Sequence, residues 1–127
     1  MINSKKTILL LYGGIGDTIM AYEQFKNLDI KLILATDSAK EVLLAMDCNK
    51  PINNIVLSIG ASGLYKYRNV YEMIKIYLYL LLRHREDKIV VLSFMKLWSA
   101  LPFLNIDHFP NTYKDLPRSE AIRRVLQ

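Results

Sequence analysis

The run Gly13-Gly14-Ile15-Gly16-Asp17-Thr18 is the part of this chain whose residue types and spacing suit chemistry best. Three glycines relieve the steric bar to positive φ and let a ligand come close to the backbone, and a helix starting just after them aims its free N–H groups at the same place. A carboxylate held at that helix start is favoured by the macrodipole and by amide donors. Such a group accepts a proton from an attacking hydroxyl, and general-base help of this kind is worth about 10² to 10⁴ in rate. The plainer role for Asp17 is that of an N-cap directly after a glycine loop, since Asp is among the preferred capping residues.

Familiar phosphate templates fit the loop poorly. A Walker loop needs Gly-Lys-Ser/Thr where Gly16-Asp17-Thr18 stand, so a carboxylate replaces the lysine that would meet phosphate. A dinucleotide fingerprint is matched in part: Gly14 and Gly16 have its spacing and Asp37 lies where a ribose-binding acid is expected, but Ile19 occupies the third small position. An adenosylmethionine site has a similar layout, yet Leu11-Tyr12 stand where its strand-end acid belongs. Asp17 would repel a pyrophosphate in the same crevice, so the loop suits a hydroxyl-bearing ligand better.

The elements that must position this loop are legible as four short apolar runs, Thr7 to Tyr12, Ile30 to Ala35, Asn54 to Ile59 and Lys88 to Phe94. Apolar runs without polar alternation mark strands covered on both faces of a parallel sheet. Helical spacing fills the gaps. Thr18 to Leu28 sets Ala21, Phe25 and Leu28 on one stripe, Ser38 to Met46 sets Val42, Leu43 and Met46 together, and Asn69 to Leu82 is apolar around most of its circumference. Ser38-Ala39-Lys40-Glu41 has the capping-box spacing. A short helix is expected over Lys96 to Leu104, broken at Pro102, then a brief strand at Asp107-His108-Phe109. A last helix from about Leu116-Pro117-Arg118 should turn Ala121, Ile122 and Val125 inward. The order β-α-β-α-β-α-β predicts a Rossmann-like three-layer α/β/α sandwich with a mainly parallel sheet, in one domain spanning residues 1–127. The long apolar third helix would be sandwiched between the sheet and the last helix, or else serve a partner chain or homodimer.

Composition bounds the rest. A chain of 127 residues has room for one domain and is too short for a two-domain enzyme. With 52% hydrophobic and 23% charged residues it lies outside the disordered and collagenous classes. A single Cys48 forms no internal disulfide and no Cys/His cluster offers a zinc site, so no metal is expected and a reducing, cytoplasmic setting fits. The apolar stretches Ile8 to Tyr12 and Ile76 to Leu82 are too short for a signal peptide or a membrane span, which leaves at most peripheral contact with the inner face of a membrane. The net charge of +5 suits anionic partners without choosing one. Nucleic acid is not expected, because Arg83-His84-Arg85 is the longest basic run and Glu86-Asp87 follow it at once.

The run Ile8 to Ile19 resembles the opening of glycosyltransferase family 9, the ADP-heptose:lipopolysaccharide heptosyltransferases, whose first strand enters a Gly-x-Gly-Asp-type loop. Asp87 to Phe94, followed by Leu97-Trp98-Ser99-Ala100-Leu101, is similar to that family's fourth strand and the loop and helix after it. The resemblance implies the N-terminal half of a GT-B fold, which holds the acceptor while a second domain holds the nucleotide sugar. It implies Asp17 as the base of an inverting, metal-independent transfer, with a saccharide or glycolipid as acceptor, a nucleotide sugar as donor substrate and no bound cofactor. Gly13, Gly14, Ile15, Gly16 and Thr18 are the expected contacts in the first loop, with Ser62 and Gly63 from a second glycine-containing loop and Trp98 facing the cleft. Ala21-Tyr22-Glu23 stand where family members carry Pro, and no donor-binding half is present. Transfer would then need a second domain, from another chain or from a longer protein of which this is a fragment, because an open half cannot exclude the water that competes with the acceptor; otherwise the chain keeps only binding. A non-catalytic binding or assembly module and a nucleotide- or dinucleotide-binding domain are the alternative readings.

Smaller features point to structure. Asp107 and His108 are adjacent in an expected strand and so face opposite ways, and His84 meets the C-terminal dipole of a helix. Tyr65, Tyr67 and Tyr71 could stack on a sugar, with Lys66 and Arg68 suited to an anionic acceptor.

Overall fold

A computed structural model describes residues 7–12, 15–55, 66–92 and 101–126, with backbone only at 66–70 and at 111. Five strands form one parallel sheet: β1 (Thr7–Leu11), β2 (Ile30–Ala35), β3 (Ile52–Asn54), β4 (Lys88–Val91) and β5 (Asn105–Asp107). Four helices connect or follow them: α1 (Ile15–Phe25), α2 (Asp37–Ala45), α3 (Lys66–Arg83) and α4 (Arg118–Leu126). The strand order is β3-β2-β1-β4-β5, the Rossmann-like arrangement in which winding reverses at the centre. β1 pairs with β2 on one side, Leu9 opposite Ile33, and with β4 on the other, Leu9 opposite Val90.

Strand periodicity sorts the central residues onto two faces. Leu9, Leu11, Ile33, Ala35 and Val90 pack against Ala21 and Phe25 of α1, Leu43 of α2 and Ile122 of α4. Ile8, Leu10, Leu34, Ile89 and Val91 pack against Met73, Ile76 and Leu80 of α3. Both faces of β1 are therefore covered, which is why it is unbroken Ile and Leu from Ile8 to Leu11. Each such side chain contributes roughly 1.5–3 kcal/mol by its burial.

Several boundaries differ from the sequence expectation for identifiable reasons. Helix α1 begins at Ile15, so Asp17 lies inside its first turn and is not the N-cap. The first buried residue of α1 is Thr18, and the exposed turn before it leaves no apolar period to read. Helix α2 is capped by Thr36, without a side-chain bond, and Ser38 sits inside it, so no capping box forms. Thr36 follows Ala35 immediately and its carbonyl accepts the Lys40 N–H at 2.8 Å, which starts the helix too early for Ser38 to cap it. The third strand is Ile52–Asn54, where Ile52, Asn53 and Asn54 pair with Ile33, Leu34 and Ala35. Asn54 is the one residue it shares with the run expected from Asn54 to Ile59; Ile52 and Asn53 precede that apolar run, and an edge strand exposes polar residues freely. Of the longer run expected there, residues 56–59 lie outside the described residues.

Residues 101–104 are a turn and not the end of a helix, with Phe103 at a φ of 66° in the left-handed region and the carbonyl of Pro102 accepting from the Tyr77 hydroxyl at 2.9 Å. The fifth strand comes earlier than Asp107-His108-Phe109 because Ile106, opposite Ile89, is the residue that meets the α3-side core. The last helix matches its expected inner face, with Ala121, Ile122 and Val125 buried. It packs on α1, across the sheet from α3, so α3 is not sandwiched by it. The outer side of α3 instead presents Tyr71, Ile74, Leu78 and Leu82 to solvent, Leu82 at 80% exposure. Leu28, expected on the buried stripe of the first helix, lies past the end of α1 and is exposed. Among the described residues no helix is long and apolar enough to cross a membrane.

Candidate functional site

The winding reverses beside β1, and a crevice opens there beyond the carboxyl ends of β1 and β4. Leu11 and Tyr12 enter it from the end of β1 and Leu92 from the end of β4, while Phe109 follows β5. Asp17 and Thr18 come from the first turn of α1, and Arg118 and Ile122 from the start of α4. Two helices thus begin at one place. Their combined dipoles favour negative charge in the crevice before any side chain is counted.

The side chains adjust that field. Asp17 is about half exposed, and its Oδ1 lies 3.9 Å from Nε of Arg118. The Arg118 guanidinium also stands 5.5 Å over the ring of Phe109, which is fully buried. Arg118 is the first residue of α4, where a cation opposes the macrodipole, so the nearby carboxylate and aromatic face offset an unfavourable placement. Below them Thr18 and Ile122 are each 1% exposed and close the bottom of the crevice. The enclosed space accommodates little more than one water molecule, so what binds must lie across the mouth, where Asp17 is reachable.

Of the residues singled out by sequence, Asp17 and Thr18 line this crevice together. Ile15 is 62% exposed on the first turn of α1, and Gly16 beside it has no atom within 4 Å of where a Cβ would stand. Gly13, Gly14, Ser62, Gly63 and Trp98 lie outside the described residues, as do Tyr65 and the side chains of Tyr67, Lys66 and Arg68. Asp37 is exposed at the start of α2, at the carboxyl end of β2. Asp107 and His108 form no dyad: Asp107 lies 3.6 Å from Lys88, and Nδ1–H of His108 donates to the carbonyl of Phe109 at 2.9 Å. Among the described residues no three His, Cys, Asp or Glu side chains gather as a metal site would require.

Arg118 and Phe109 are the residues that sequence reading missed. A signal for Arg118 existed, in a cation placed directly after Pro117 at a helix start, against the dipole preference. A second assembly missed by sequence lies at the far end of α3. Asp87 accepts from Nζ of Lys31 at 2.9 Å and from Nδ1 of His84 at 3.0 Å. With Nδ1 carrying the proton, Nε2 of His84 accepts from the Tyr79 hydroxyl at 3.3 Å, and Tyr79 accepts from the Asn53 amide at 3.2 Å. Burial pushes the Asp87 carboxyl up, but the hydrogen bonds and charges of Lys31 and His84 outweigh it and hold the group below the usual carboxylate value. His84 thus does more than meet the helix dipole.

No protein-family model, curated protein or solved structure matches the chain.

Proposed function

We propose that this chain is the acceptor-side half of an inverting glycosyltransferase similar to family 9, in which Asp17 is the base. The observation that carries the reading is a half-exposed carboxylate in the first turn of α1, at the mouth of the crevice where the sheet reverses its winding. In the proposed reaction an acceptor hydroxyl binds across that mouth and gives its proton to Asp17. Its oxygen forms the new bond to the anomeric carbon as the bond to the donor's phosphate oxygen breaks, with inversion, and the nucleoside diphosphate leaves. A second domain or chain supplies the donor and closes the cleft against water. Metal is not required of this half, and the electropositive helix starts with Arg118 would accommodate an acceptor bearing acid groups, such as a glycolipid core saccharide, at the inner face of a membrane in the cytoplasm.

The test is transfer of a nucleotide-linked heptose or hexose to a lipopolysaccharide core saccharide by this chain mixed with a donor-side Rossmann-like chain encoded beside it. Asp17→Asn should reduce turnover at least about 10²-fold with acceptor binding retained. Unchanged turnover in that variant removes the base assignment.

A second reading is favoured by one specific observation, the exposed Asp37 at the carboxyl end of β2 next to β1. That is where a Rossmann domain grips an adenosine ribose. A nucleotide-binding role requires saturable binding of NAD with a Kd of about 10 μM or tighter. Loss of that binding in Asp37→Ala would support it, and no binding at all would dismiss it.

A further inference from the structure

On the sheet face opposite Asp17 a groove of about 400 Å³ runs between edge strand β3 and helix α3. That volume lies within the range of roughly 300–1,000 Å³ that small-molecule sites occupy. Its floor is apolar: Leu34 of β2, Ile55 just past β3 and Ile76 of α3. Its rim is polar, built from the Asn53 and Asn54 side of β3 and from Glu72, Lys75 and Tyr79 along α3. An apolar floor with a few convergent polar groups is the general form of a small-molecule site.

The rim has three properties that select a ligand class. It carries no net charge, because Glu72 and Lys75 are the two charged groups among the described lining and stand 3.6 Å apart. A polyanion gains little there and meets the Glu72 carboxylate. Secondly, the Tyr79 hydroxyl is held in place by the chain that runs from Asn53 through Tyr79 and His84 to Asp87 and Lys31. A phenol has one proton and two lone pairs. With His84 neutral and its proton on Nδ1, the Tyr79 proton goes to Nε2 of His84 and one lone pair receives the Asn53 amide, which leaves one oriented acceptor for a ligand hydroxyl. Finally, Asn53, which pairs with Leu34 and so shares its sheet face, offers an amide that both donates and accepts, as a hydroxyl does. We propose that this groove binds a neutral, hydroxyl-rich small molecule of sugar-ring size, with its C–H face on Leu34, Ile55 and Ile76 and its hydroxyls on Tyr79, the Asn53 amide and the Glu72–Lys75 pair. This second site does not depend on the glycosyltransferase reading, since it shares no residue with the Asp17 crevice.

Glucose is a suitable probe and glucose 6-phosphate its charged control, titrated into the isotopically labelled full chain while the side-chain amide signal of Asn53 is followed. Glucose should shift that signal saturably with a Kd of about 1 mM. Tyr79→Phe and Glu72→Gln, which preserve shape, should each weaken binding roughly threefold to tenfold by removing one hydrogen-bonding partner. Glucose 6-phosphate should bind no more tightly than glucose, and Asp17→Asn should leave the titration unchanged. The inference is overturned by an absence of saturable shifts at the Asn53 amide in the unmodified chain, a result that needs no variant to fold. It is equally overturned if the phosphate ester binds there more tightly, or if glucose binding survives Tyr79→Phe and Glu72→Gln but is lost in Asp17→Asn. The last outcome would leave the proposed function standing and place the sugar in the other crevice.

Discussion

Replacing Asp87 by Asn tests whether the hydrogen-bonded chain behind Tyr79 is an energetic unit. The Asp87 side chain is 14% exposed and accepts from Lys31, itself 39% exposed, and from His84 at 10%. Asparagine keeps the shape and one acceptor oxygen, so the change removes charge with little loss of packing. Fully exposed ion pairs are worth about 0.2–1 kcal/mol, and hydrogen bonds to a charged group about 1.5–3 kcal/mol when protected. A partly screened carboxylate with two partners, one of them largely buried, falls between, at about 1 kcal/mol near neutral pH. For a chain of this size that corresponds to a drop in Tm of roughly 3–5 °C.

The pH dependence separates charge from packing. The folded-state pKa of Asp87 is depressed below its ordinary value of 3.8 by Lys31 and His84. Its contribution is therefore present above that ordinary value and is lost as pH falls through the lower folded value. The parent chain should exceed Asp87→Asn in stability at pH 7 and converge with it as pH falls below 3.8 and through the lower folded value, measured by urea unfolding across that range. A gap that stays the same across that whole range would refute the electrostatic account and leave only a packing difference.

Asp17→Asn should alter unfolding free energy by less than about 1 kcal/mol, since the group is half exposed and its partner Arg118 is 3.9 Å away, while transfer in the reconstituted two-chain reaction collapses. Equal losses of stability and turnover, read by urea unfolding beside the assay, would reassign Asp17 to the fold. Leu78→Lys on the outer side of α3 should change stability by no more than about 0.5 kcal/mol, because its position is about half exposed. A cost of about 2 kcal/mol or more in the same unfolding experiment would mean that this face is covered in solution.

The central strands were legible because β1, β2 and β4 are buried on both faces, and burial on both faces writes itself as continuous Ile, Leu and Val. Edge positions were not. Strands β3 and β5 are three residues each, and their pairing rests on Ile52 and Ile106 among polar neighbours, too little to set the start of either strand. Helix starts were misplaced wherever the first turn is exposed, as at Ile15, or where the cap follows a strand directly, as at Thr36. Of the eight residues that line the candidate crevice, Asp17 and Thr18 were readable as site residues, because they sit in a local motif. Arg118 reaches it only through the contact between α1 and α4, which no local pattern encodes.

That long-range meeting explains why the crevice is polar at its mouth and closed beneath. Strand β4 lies beside β1 because α3 crosses the opposite face, leaving α1 and α4 to share the other face and to begin side by side. Two aligned helix starts impose a positive field on whatever lies between them. A lone Arg118 there would be opposed by both dipoles and a lone Asp17 would be favoured by both, so the pair is asymmetric: the arginine depends on the carboxylate more than the reverse. A ligand hydroxyl that engages Asp17 therefore competes with the guanidinium for a group that the helices hold in place regardless. The displaced Arg118 still has the Phe109 face, fully buried and 5.5 Å away, to rest on. Exchange of partners at Asp17 thus costs the protein little, which is what the proposed role of Asp17 as a base requires.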